Sequence, residues 1–315
     1  MLKSVMNQLS MLFFLVLFCL VSACEKEEVT PNTPGPTPGT RYLDLLFSEV
    51  DSTMGVQYGA NTNQAGNNVP LLMNIYQPAN DTENNRPLII LAHGGGFAEG
   101  DREDFNDLAR KFARAGYVAA SISYRLMSGA DDPSLQIAVI DAVQDMKAAV
   151  RFFNLDNTYR IDPDNIFIGG FSAGAVTALH YAYFDEAEIS AVPEELQQYI
   201  LSTGGLSGNS GNPGGSEQIK GVINISGGLL KADLVDAGDP ILYSIHGSLD
   251  NCTIDPDSEN NPNGDFIEGS CLIHPILDSF GITNQLRLIE GGDHGAYFSC
   301  ADCDDEMRRF IFDNL

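Results

Sequence analysis

The sequence predicts an α/β fold in which a mostly parallel sheet carries helices on both faces. Two continuous apolar runs, residues 87–92 and 165–168, have the length and composition of strands that are buried on both sides. Each run is followed by a glycine-rich turn and then by a helical pattern, and this alternation recurs toward the C-terminus. We therefore expect the functional groups to lie at the carboxyl ends of the strands.

Local patterns place the remaining elements along the chain. Early strands are predicted at residues 42–50, 54–59 and 69–76, and later strands at 117–124, 220–225, 240–245 and 284–289. Helical spacing predicts helices at residues 104–115, 132–154, 175–183, 193–201, 271–280 and 304–314. In the longest helix, apolar side chains recur on one face, and we expect Asp141 and Asp145 on a solvated face.

A serine nucleophile is predicted at residues 170–174, which read G-F-S-A-G between a predicted strand and a predicted helix. A tight strand-to-helix turn needs small residues two positions before and after the serine, and Gly170 and Gly174 meet that need. Such a turn lifts the hydroxyl of Ser172 clear of the backbone and directs the amide of Ala173 to where an oxyanion would form. The segment therefore predicts acyl-transfer chemistry.

An oxyanion-binding loop is predicted directly after the strand at 87–92. Its sequence, H-G-G-G-F from residue 93, allows the backbone to pass close to a ligand and to present amides to it. Gly94 and Gly95 would then supply two N–H donors beside that of Ala173. We expect His93 to anchor this loop by hydrogen bonding rather than to take part in the chemistry.

The two partners of the serine are expected at the ends of later strands. Asp250 follows the strand at 240–245, where a carboxylate can hold a histidine in one tautomer. His294 lies in a glycine-rich loop near the C-terminus and completes the order Ser, Asp, His, so we expect it to be the general base. The alternatives for the acid lie in the polar loop beyond it: Asp255, Asp257 and Asp265.

These motifs resemble those of the α/β-hydrolase carboxylesterases, including the hormone-sensitive-lipase-like and the small acetyl and feruloyl esterase branches. Besides H-G-G-G-F and G-F-S-A-G, the resemblance includes Y-R-L at residues 124–126 and I-D-P-D-N-I at 161–166. It covers most of residues 71–315 and implies an α/β-hydrolase fold with a Ser-His-Asp triad and no metal or organic cofactor. It also implies that the insertion at 184–218 lies over the active site, as a candidate lid.

The first 40 residues predict an exported, tethered protein. Residues 1–23 have the pattern of a signal peptide, and the small residues before Cys24 resemble a bacterial lipobox. That resemblance implies lipid attachment at Cys24, which would anchor the chain to a membrane without spanning it. Residues 24–40 predict a tether rich in Pro, Gly and Thr, followed by a catalytic domain at 41–315. The acidic run after Cys24 resembles the surface-export signal of lipoproteins in some Gram-negative lineages, and this resemblance implies display at the surface of the outer membrane; the alternative is a solvated tail that faces the periplasm.

The net charge of the chain limits the classes of molecule that it can bind. The formal net charge of −26 argues against nucleic acid or an anionic lipid surface as a binding partner.

The four cysteines of the catalytic domain predict two disulfides in an exported chain. We favour Cys252 with Cys271 and Cys300 with Cys303, and a bond from Cys252 to Cys300 or Cys303 stays open. Zinc on these thiols and calcium in the acidic loop at 255–268 are weaker alternatives, and we expect no metal.

Three classes of function are compatible with these motifs. The favoured interpretation is a serine carboxylesterase that acts on short-chain or polysaccharide-linked acyl esters. A serine peptidase of the prolyl-oligopeptidase type shares the triad but normally carries a large propeller domain, for which this chain has no room. A catalytically inactive binding module is possible on any fold. The sequence leaves the acyl specificity and the oligomeric state open.

Overall fold

The computed structural model describes residues 39–129, 132–250, 252 and 267–315. The described strands are β1 (Val50–Thr62), β2 (Asn68–Pro78), β3 (Arg86–Ala92), β4 (Val118–Ile122), β5 (Ile161–Phe171), β6 (Gly221–Ile225), β7 (Gly228–Leu229), β8 (Ile241–Gly247), β9 (Glu268–Gly269) and β10 (Asn284–Ile289). The described α-helices are α1 (Asn106–Ala115), α2 (Asp132–Leu155), α3 (Ala173–Tyr183), α4 (Glu194–Ser202), α5 (Ser270–Phe280) and α6 (Cys303–Asp313).

Eight strands form one sheet in the order β1-β2-β4-β3-β5-β6-β8-β10, and β7 pairs with β9 beside it. From β4 to β10 every neighbouring pair is parallel, because a helix or a long segment connects the successive strands. The pairs β1–β2 and β2–β4 are antiparallel and form one edge of the sheet. The prediction of an α/β fold with a mostly parallel sheet is therefore confirmed.

Helices cover both faces of this sheet because alternate side chains of each strand point to opposite faces. On one face Leu88 and Ile90 of β3 belong to the apolar core that includes α2, α3 and α5. On the other face Ile89 and Leu91 belong to the core that includes α1 and α6. Within the described ranges, no helix has the length and the apolar composition that crossing a bilayer requires.

The predicted first strand at residues 42–50 is wrong over most of its length. Tyr42 has a φ of 70°, in the left-handed region, and residues 41–44 form a turn. The amide of Tyr42 donates to the carbonyl oxygen of Ala115 at 2.7 Å, and its ring packs edge-on against Tyr117. This segment therefore caps the end of α1 instead of extending the sheet.

Asp141 and Asp145 of α2 are buried, so the prediction that they lie on a solvated face is wrong. Arg125, three residues after the end of β4, pairs with Asp141 at 2.8 Å and with Asp145 at 2.9 Å. All three side chains are at most 2% exposed. Burial raises the pKa of Asp141 to about 6, although the charge of Arg125 opposes this shift. The core-facing side of α2 thus carries two buried carboxylates, and Arg125, from the segment after β4, supplies their positive partner.

The insertion at 184–218 packs against α2 through an apolar cluster and a set of hydrogen bonds. Ile200 and Leu206 of the insertion are buried in a cluster with Ile140 of α2. Arg151 of α2 donates to the carbonyl oxygens of Ser207 and Gly211 at 2.8 Å each, through different nitrogen atoms. The oxygen Oγ of Ser210 lies 2.5 Å from Oδ1 of Asp145. These contacts fix the insertion to the core.

The favoured pairing of the four cysteines is confirmed. Cys252 is bonded to Cys271 and Cys300 to Cys303. The first bond joins the segment after β8 to the first turn of α5, and the second lies at the start of α6.

Candidate active site

Ser172 lies at a sharp turn between β5 and α3. Its φ of 53° and ψ of −120° are angles that residues other than glycine rarely adopt. Its amide donates to the carbonyl oxygen of Ile225 on β6 at 2.9 Å. A side chain at Gly170 or Gly174 would collide with the carbonyl oxygen of Ala92. The neighbouring strands therefore hold Ser172 in the strained turn. Only glycine fits at the positions two residues before it and two residues after it.

Ser172, Asp250 and His294 are brought together by loops that follow β5, β8 and β10. Nε2 of His294 lies 2.9 Å from Oγ of Ser172, and Nδ1 of His294 lies 3.0 Å from Oδ2 of Asp250. Ser172 and His294 are 122 positions apart in the sequence. The side chain of His294 is 51% exposed, whereas that of Asp250 is 10% exposed. The reacting end of this arrangement therefore faces solvent and its acidic end is enclosed.

The electrostatics of these residues follow from their contacts. The hydrogen bond to Asp250 raises the pKa of His294 above its ordinary value, while burial opposes the rise and the negative charges of Asp250 and Asp293 add to it. Burial by itself would raise the pKa of Asp250. Hydrogen bonds from His246 and His294 outweigh that effect and hold this pKa far below its ordinary range.

Asp250 has a second histidine partner that the sequence analysis did not single out. Nε2 of the buried His246 lies 3.1 Å from Oδ2 of Asp250, and Nδ1 of His246 lies 2.8 Å from Oγ of Ser270. Nδ2 of Asn224 donates to that same Oγ at 2.9 Å. Because Asn224 supplies a donor, the hydroxyl of Ser270 can donate to Nδ1, and the Nε2–H of a neutral His246 then donates to Asp250. The available signal was a histidine four positions before the acid, at the end of a predicted strand.

The glycine loop at residues 93–96 lies beside the serine turn. Gly94 is so close to the ring and carbonyl of Phe171 that a side chain there would collide, and Gly95 has a φ of 109°. Nδ1 of His93 lies 2.7 Å from the carbonyl oxygen of Gly94, and the ring of His93 stacks on Tyr124 with centroids 4.4 Å apart. Burial lowers the pKa of His93. A neutral, buried His93 thus anchors the loop, as expected from the sequence.

The amide of Ala173 belongs to the first residue of α3. The first amides of an α-helix have no acceptor within the helix, so this N–H is available to a ligand held at Ser172. The positive end of the helix dipole reinforces its attraction for negative charge. Because β3 and β5 are parallel neighbours, the glycine loop after β3 and Ala173 after β5 lie at the same edge of the sheet, the one formed by the carboxyl ends of the strands.

An open cleft of about 480 Å³ adjoins these groups. It is lined by the two glycines of the loop, by acidic residues and by aromatic residues: Gly94, Gly95, Glu99, Gly100, Asp104, Phe105, Phe171 and Phe298. In the described part of the chain, none of these lining residues comes from the insertion at 184–218. The expectation that the insertion lies over the site as a lid therefore finds no support in the residues that form the cleft.

Two clusters of the described residues contain three side chains of the types that bind metal ions. The first combines Asp302 with Cys300 and Cys303, whose sulfur atoms are already joined in a disulfide. The second is a surface group of Asp185, Glu188 and Asp236, on the opposite end of α3 from Ser172.

Several sequence-based expectations fall on residues outside the described ranges. They are lipidation at Cys24, calcium in the acidic loop that begins at Asp255, and the alternative acids Asp255, Asp257 and Asp265.

Part of the chain matches a known protein family. Residues 73–228 match the family model BD-FAE, an α/β-hydrolase esterase family. The matched range contains the glycine loop and Ser172, whereas Asp250 and His294 follow it. No protein with a curated description matches the sequence.

Solved structures of esterases have the same fold. A truncated carbohydrate esterase from gut microbiota aligns with a TM-score of 0.58 at 19% identity, over 86% of this chain and 97% of that chain. A thermophilic esterase of the planctomycete Thermogutta terrifontis, Est2 with propionate bound, aligns with a TM-score of 0.56 at 22% identity, over 80% of this chain and 93% of that chain.

A third structure extends the comparison to a larger protein. The bifunctional GH43-CE protein of Bacteroides eggerthii aligns with a TM-score of 0.61 at 19% identity, over 82% of this chain but only 37% of that chain. Identities this low show the fold alone, and the family match adds the class of reaction. Residues 73–228 are therefore similar to the BD-FAE family, and the chain is a carboxylic ester hydrolase of α/β-hydrolase fold.

Proposed function

We propose that this protein is a serine carboxylesterase in which Ser172 is the nucleophile, His294 the general base and Asp250 the acid that orients the histidine. The observation that carries the proposal is the continuous hydrogen-bonded path from Oγ of Ser172 through His294 to Asp250. In this arrangement the hydroxyl proton passes to Nε2 of His294 as Oγ attacks the ester carbonyl. Asp250 then stabilises the imidazolium that forms.

The negative charge that develops on the carbonyl oxygen needs donors in fixed positions. We assign this role to the amides of Gly94, Gly95 and Ala173, on the two backbone segments that flank Ser172. Fixed donors of this kind contribute about 3 kcal/mol each to transition-state stabilisation in the best-studied hydrolases. His294 next gives its proton to the leaving alcohol, and water hydrolyses the acyl-enzyme by the same steps in reverse order. This chemistry requires no metal or organic cofactor.

The strained backbone of Ser172 fits the same role. A residue with φ of 53° and ψ of −120° costs of order 1–3 kcal/mol to hold, and such strain persists where surrounding contacts fix it. Here the hydrogen bond to Ile225 and the close approach of the flanking glycines to Ala92 supply those contacts. The hydroxyl is therefore presented to an ester without rearrangement of the backbone.

Replacement of the nucleophile tests the proposal. Ser172→Ala should lower kcat for 4-nitrophenyl acetate by a factor of about 10⁴ or more and should abolish labelling by a fluorophosphonate, with unchanged thermal unfolding. Ser226→Ala, the same substitution at a buried serine that also has a positive φ, is the matched control and should still be labelled. Labelling of the Ser172→Ala protein at a different residue would refute the assignment.

For the substrate, we propose short acyl esters, including acyl groups attached to carbohydrate. Two of the structural neighbours support this proposal: one is a carbohydrate esterase and the other is an esterase with propionate bound. The cleft of about 480 Å³, to which the insertion at 184–218 contributes no described lining residue, leaves room for a bulky alcohol. Assays with acyl chains from acetyl to octanoyl should give the highest kcat/KM at four carbons or fewer. Parallel assays with peptide anilides should show little hydrolysis, and efficient cleavage of anilides would favour the peptidase alternative.

We also propose that the catalytic domain is held at the bacterial cell envelope by lipid on Cys24 and the tether of residues 24–40. The pattern of residues 1–24 is the support for this proposal. Cys24→Ala should move the protein from the membrane fraction to the soluble fraction. Protease treatment of intact cells should remove it if the domain faces outward, and protection from protease would indicate the periplasmic side.

A further inference from the structure

The cleft beside the proposed oxyanion loop is lined by both aromatic and acidic side chains. Phe298 is 65% exposed, although it is one of the largest apolar side chains of the protein, and its ring meets that of Phe171 at a centroid distance of 4.9 Å. Glu99 and Asp104 line the same cleft and are both exposed. No lysine or arginine is among the lining residues in the described ranges. The site thus combines an exposed aromatic surface with two carboxylates.

The position of Phe298 indicates which part of the ester this cleft binds. Phe298 lies four residues after His294, and the ring of Phe171, which it contacts, lies 5.0 Å from the imidazole of His294. The leaving alcohol must lie next to the imidazole, because it receives its proton from Nε2. A group that occupies the cleft beside these rings is therefore the alcohol part of the ester rather than its acyl part.

We propose that this cleft is the alcohol subsite, that Phe298 is the surface on which a ring of the alcohol packs, and that Glu99 and Asp104 select uncharged alcohols over anionic ones. The proposal rests on the esterase function proposed above. Exposed aromatic side chains of this size are characteristic of binding sites, since they bury a large area when a ligand ring covers them. Carboxylate oxygens accept hydrogen bonds from the hydroxyls of a neutral sugar, and they repel the carboxylate of a uronic acid.

The expected discrimination is modest because the cleft is open. Two carboxylates at about 7 Å from a substrate anion in a water-like dielectric should disfavour it roughly three- to tenfold at low ionic strength. Salt should reduce this factor, since the charges are exposed to solvent. Loss of the contact with an exposed aromatic ring should likewise reduce kcat/KM for a ring alcohol about three- to tenfold.

Matched pairs of esters test the charge selection. For the alcohol side, the pair is 4-acetoxybenzamide and 4-acetoxybenzoate, which differ by one negative charge on the leaving group. For the acyl side, the pair is 4-nitrophenyl butyrate and 4-nitrophenyl hemisuccinate. In the wild type, kcat/KM should favour the amide over the benzoate three- to tenfold in low salt. The double variant Glu99→Gln/Asp104→Asn should reduce this preference to less than twofold and should change the acyl-side ratio by less than twofold.

A second measurement tests the aromatic surface. Phe298→Ala should lower kcat/KM for 4-acetoxybenzamide relative to that for ethyl acetate three- to tenfold, and Phe298→Trp should restore the ratio. The matched controls lie near the amino-terminal ends of β3 and β5, away from the cleft. They are Leu155→Ala, which removes a side chain that is 53% exposed, and the double variant Glu83→Gln/Asp164→Asn. Both controls should leave every ratio within twofold of the wild type.

The results separate this assignment from the function on which it rests. A charge preference that the Glu99 and Asp104 substitutions leave intact, or one that appears on the acyl side instead, would overturn the subsite with the esterase function retained. So would an unchanged ratio in Phe298→Ala. Failure of the wild-type protein to hydrolyse any of the five esters would overturn the esterase function, and the subsite with it.

Discussion

His246 lies 3.1 Å from Oδ2 of Asp250, the same carboxylate oxygen that lies 3.0 Å from His294. The proposed acid is therefore held from two sides, by an enclosed histidine and by the histidine that faces the substrate. Because His246 is fixed by Ser270, it limits how far the carboxylate can rotate. This geometry makes His246 a positioning residue for the proposed triad.

Replacement of His246 should reduce kcat more than it changes KM. His246→Leu removes the donor to Asp250, and a misplaced Asp250 orients His294 poorly, so we expect kcat to fall roughly 10- to 100-fold. His246→Gln keeps an N–H group near the carboxylate and should recover most of that loss. Thermal unfolding of both variants is the control, because two equally destabilised proteins with equally low kcat would indicate a purely structural role.

The activity should depend on pH through His294. Only the neutral imidazole can take the proton of Ser172, and the pKa of His294 is raised. Consequently kcat/KM should rise with increasing pH through a pKa above that of an ordinary histidine and should be lost below it. Asp293→Asn removes one negative charge that contributes to the rise, so the acidic limb of the pH–rate profile should move to lower pH. The Asn side chain can still accept the hydrogen bond from the amide of Gly295, which Asp293 accepts at 3.0 Å. A limb that moves to higher pH would contradict this account.

The disulfide between Cys252 and Cys271 should stabilise both the fold and the position of Asp250. The amide of Cys252 donates to the carbonyl oxygen of Asp250 at 2.7 Å, and the amide of Cys271 donates to that of Cys252 at 2.9 Å. A loop of 19 residues predicts a loss of about 3 kcal/mol in Cys252→Ser/Cys271→Ser. The pair Cys300→Ser/Cys303→Ser, with a separation of 3, should lose less, about 2 kcal/mol. Urea unfolding of both variants gives the comparison, and a reversed order would show that loop length does not control these bonds.

The turn at Ser172 should not tolerate a methyl group. Gly174→Ala places a side chain against the carbonyl oxygens of Ala92 and His93, and backbone atoms cannot move as a flexible side chain can. We expect a loss of at least 1–3 kcal/mol in unfolding free energy and slower labelling of Ser172 by a fluorophosphonate. Gly96→Ala is the control from the glycine loop, where a side chain would meet nothing within 4 Å although φ is 59°. Equal effects of the two substitutions would argue against the steric explanation.

Removal of the buried guanidinium should have the largest effect on stability. Arg125→Met leaves Asp141 and Asp145 buried without their positive partner, which typically costs about 3–5 kcal/mol. Arg110→Met, which breaks a pair with Asp107 at the surface, should cost less than about 1 kcal/mol. Calorimetric unfolding of the two variants distinguishes them, and a stable Arg125→Met protein would show that this cluster is dispensable.

Local sequence patterns were sufficient where one segment determines its own structure. The last strand, β10, has the predicted bounds. G-F-S-A-G spans the junction of β5 and α3, where the absence of side chains at 170 and 174 allows the close approach to Ala92. The order of strands along the chain also indicated which loops would share an edge. The expected proximity of Ser172, Asp250 and His294 follows from that order, and the structure places them within hydrogen-bonding distance.

Contacts between distant segments were the features that local patterns could not predict. Asp141 and Asp145 have the spacing of a solvated helix face, and their burial depends on Arg125, which reaches them from the segment after β4. The role of His246 depends likewise on Ser270 and Asn224, which come from α5 and β6. The strand predicted at residues 42–50 fails for the same reason, because the contact of Tyr42 with the end of α1 determines the turn there.

The attachment of the insertion at 184–218 to α2 has a kinetic consequence. The insertion contributes no residue to the described lining of the cleft, and Arg151 and Ser210 fasten it to the core, so substrate entry requires no movement of the insertion. Hydrolysis should therefore follow ordinary saturation behaviour as substrate concentration crosses its solubility limit, with no jump when micelles form. In an enzyme of this kind, the supply of dissolved or tethered substrate sets the working rate.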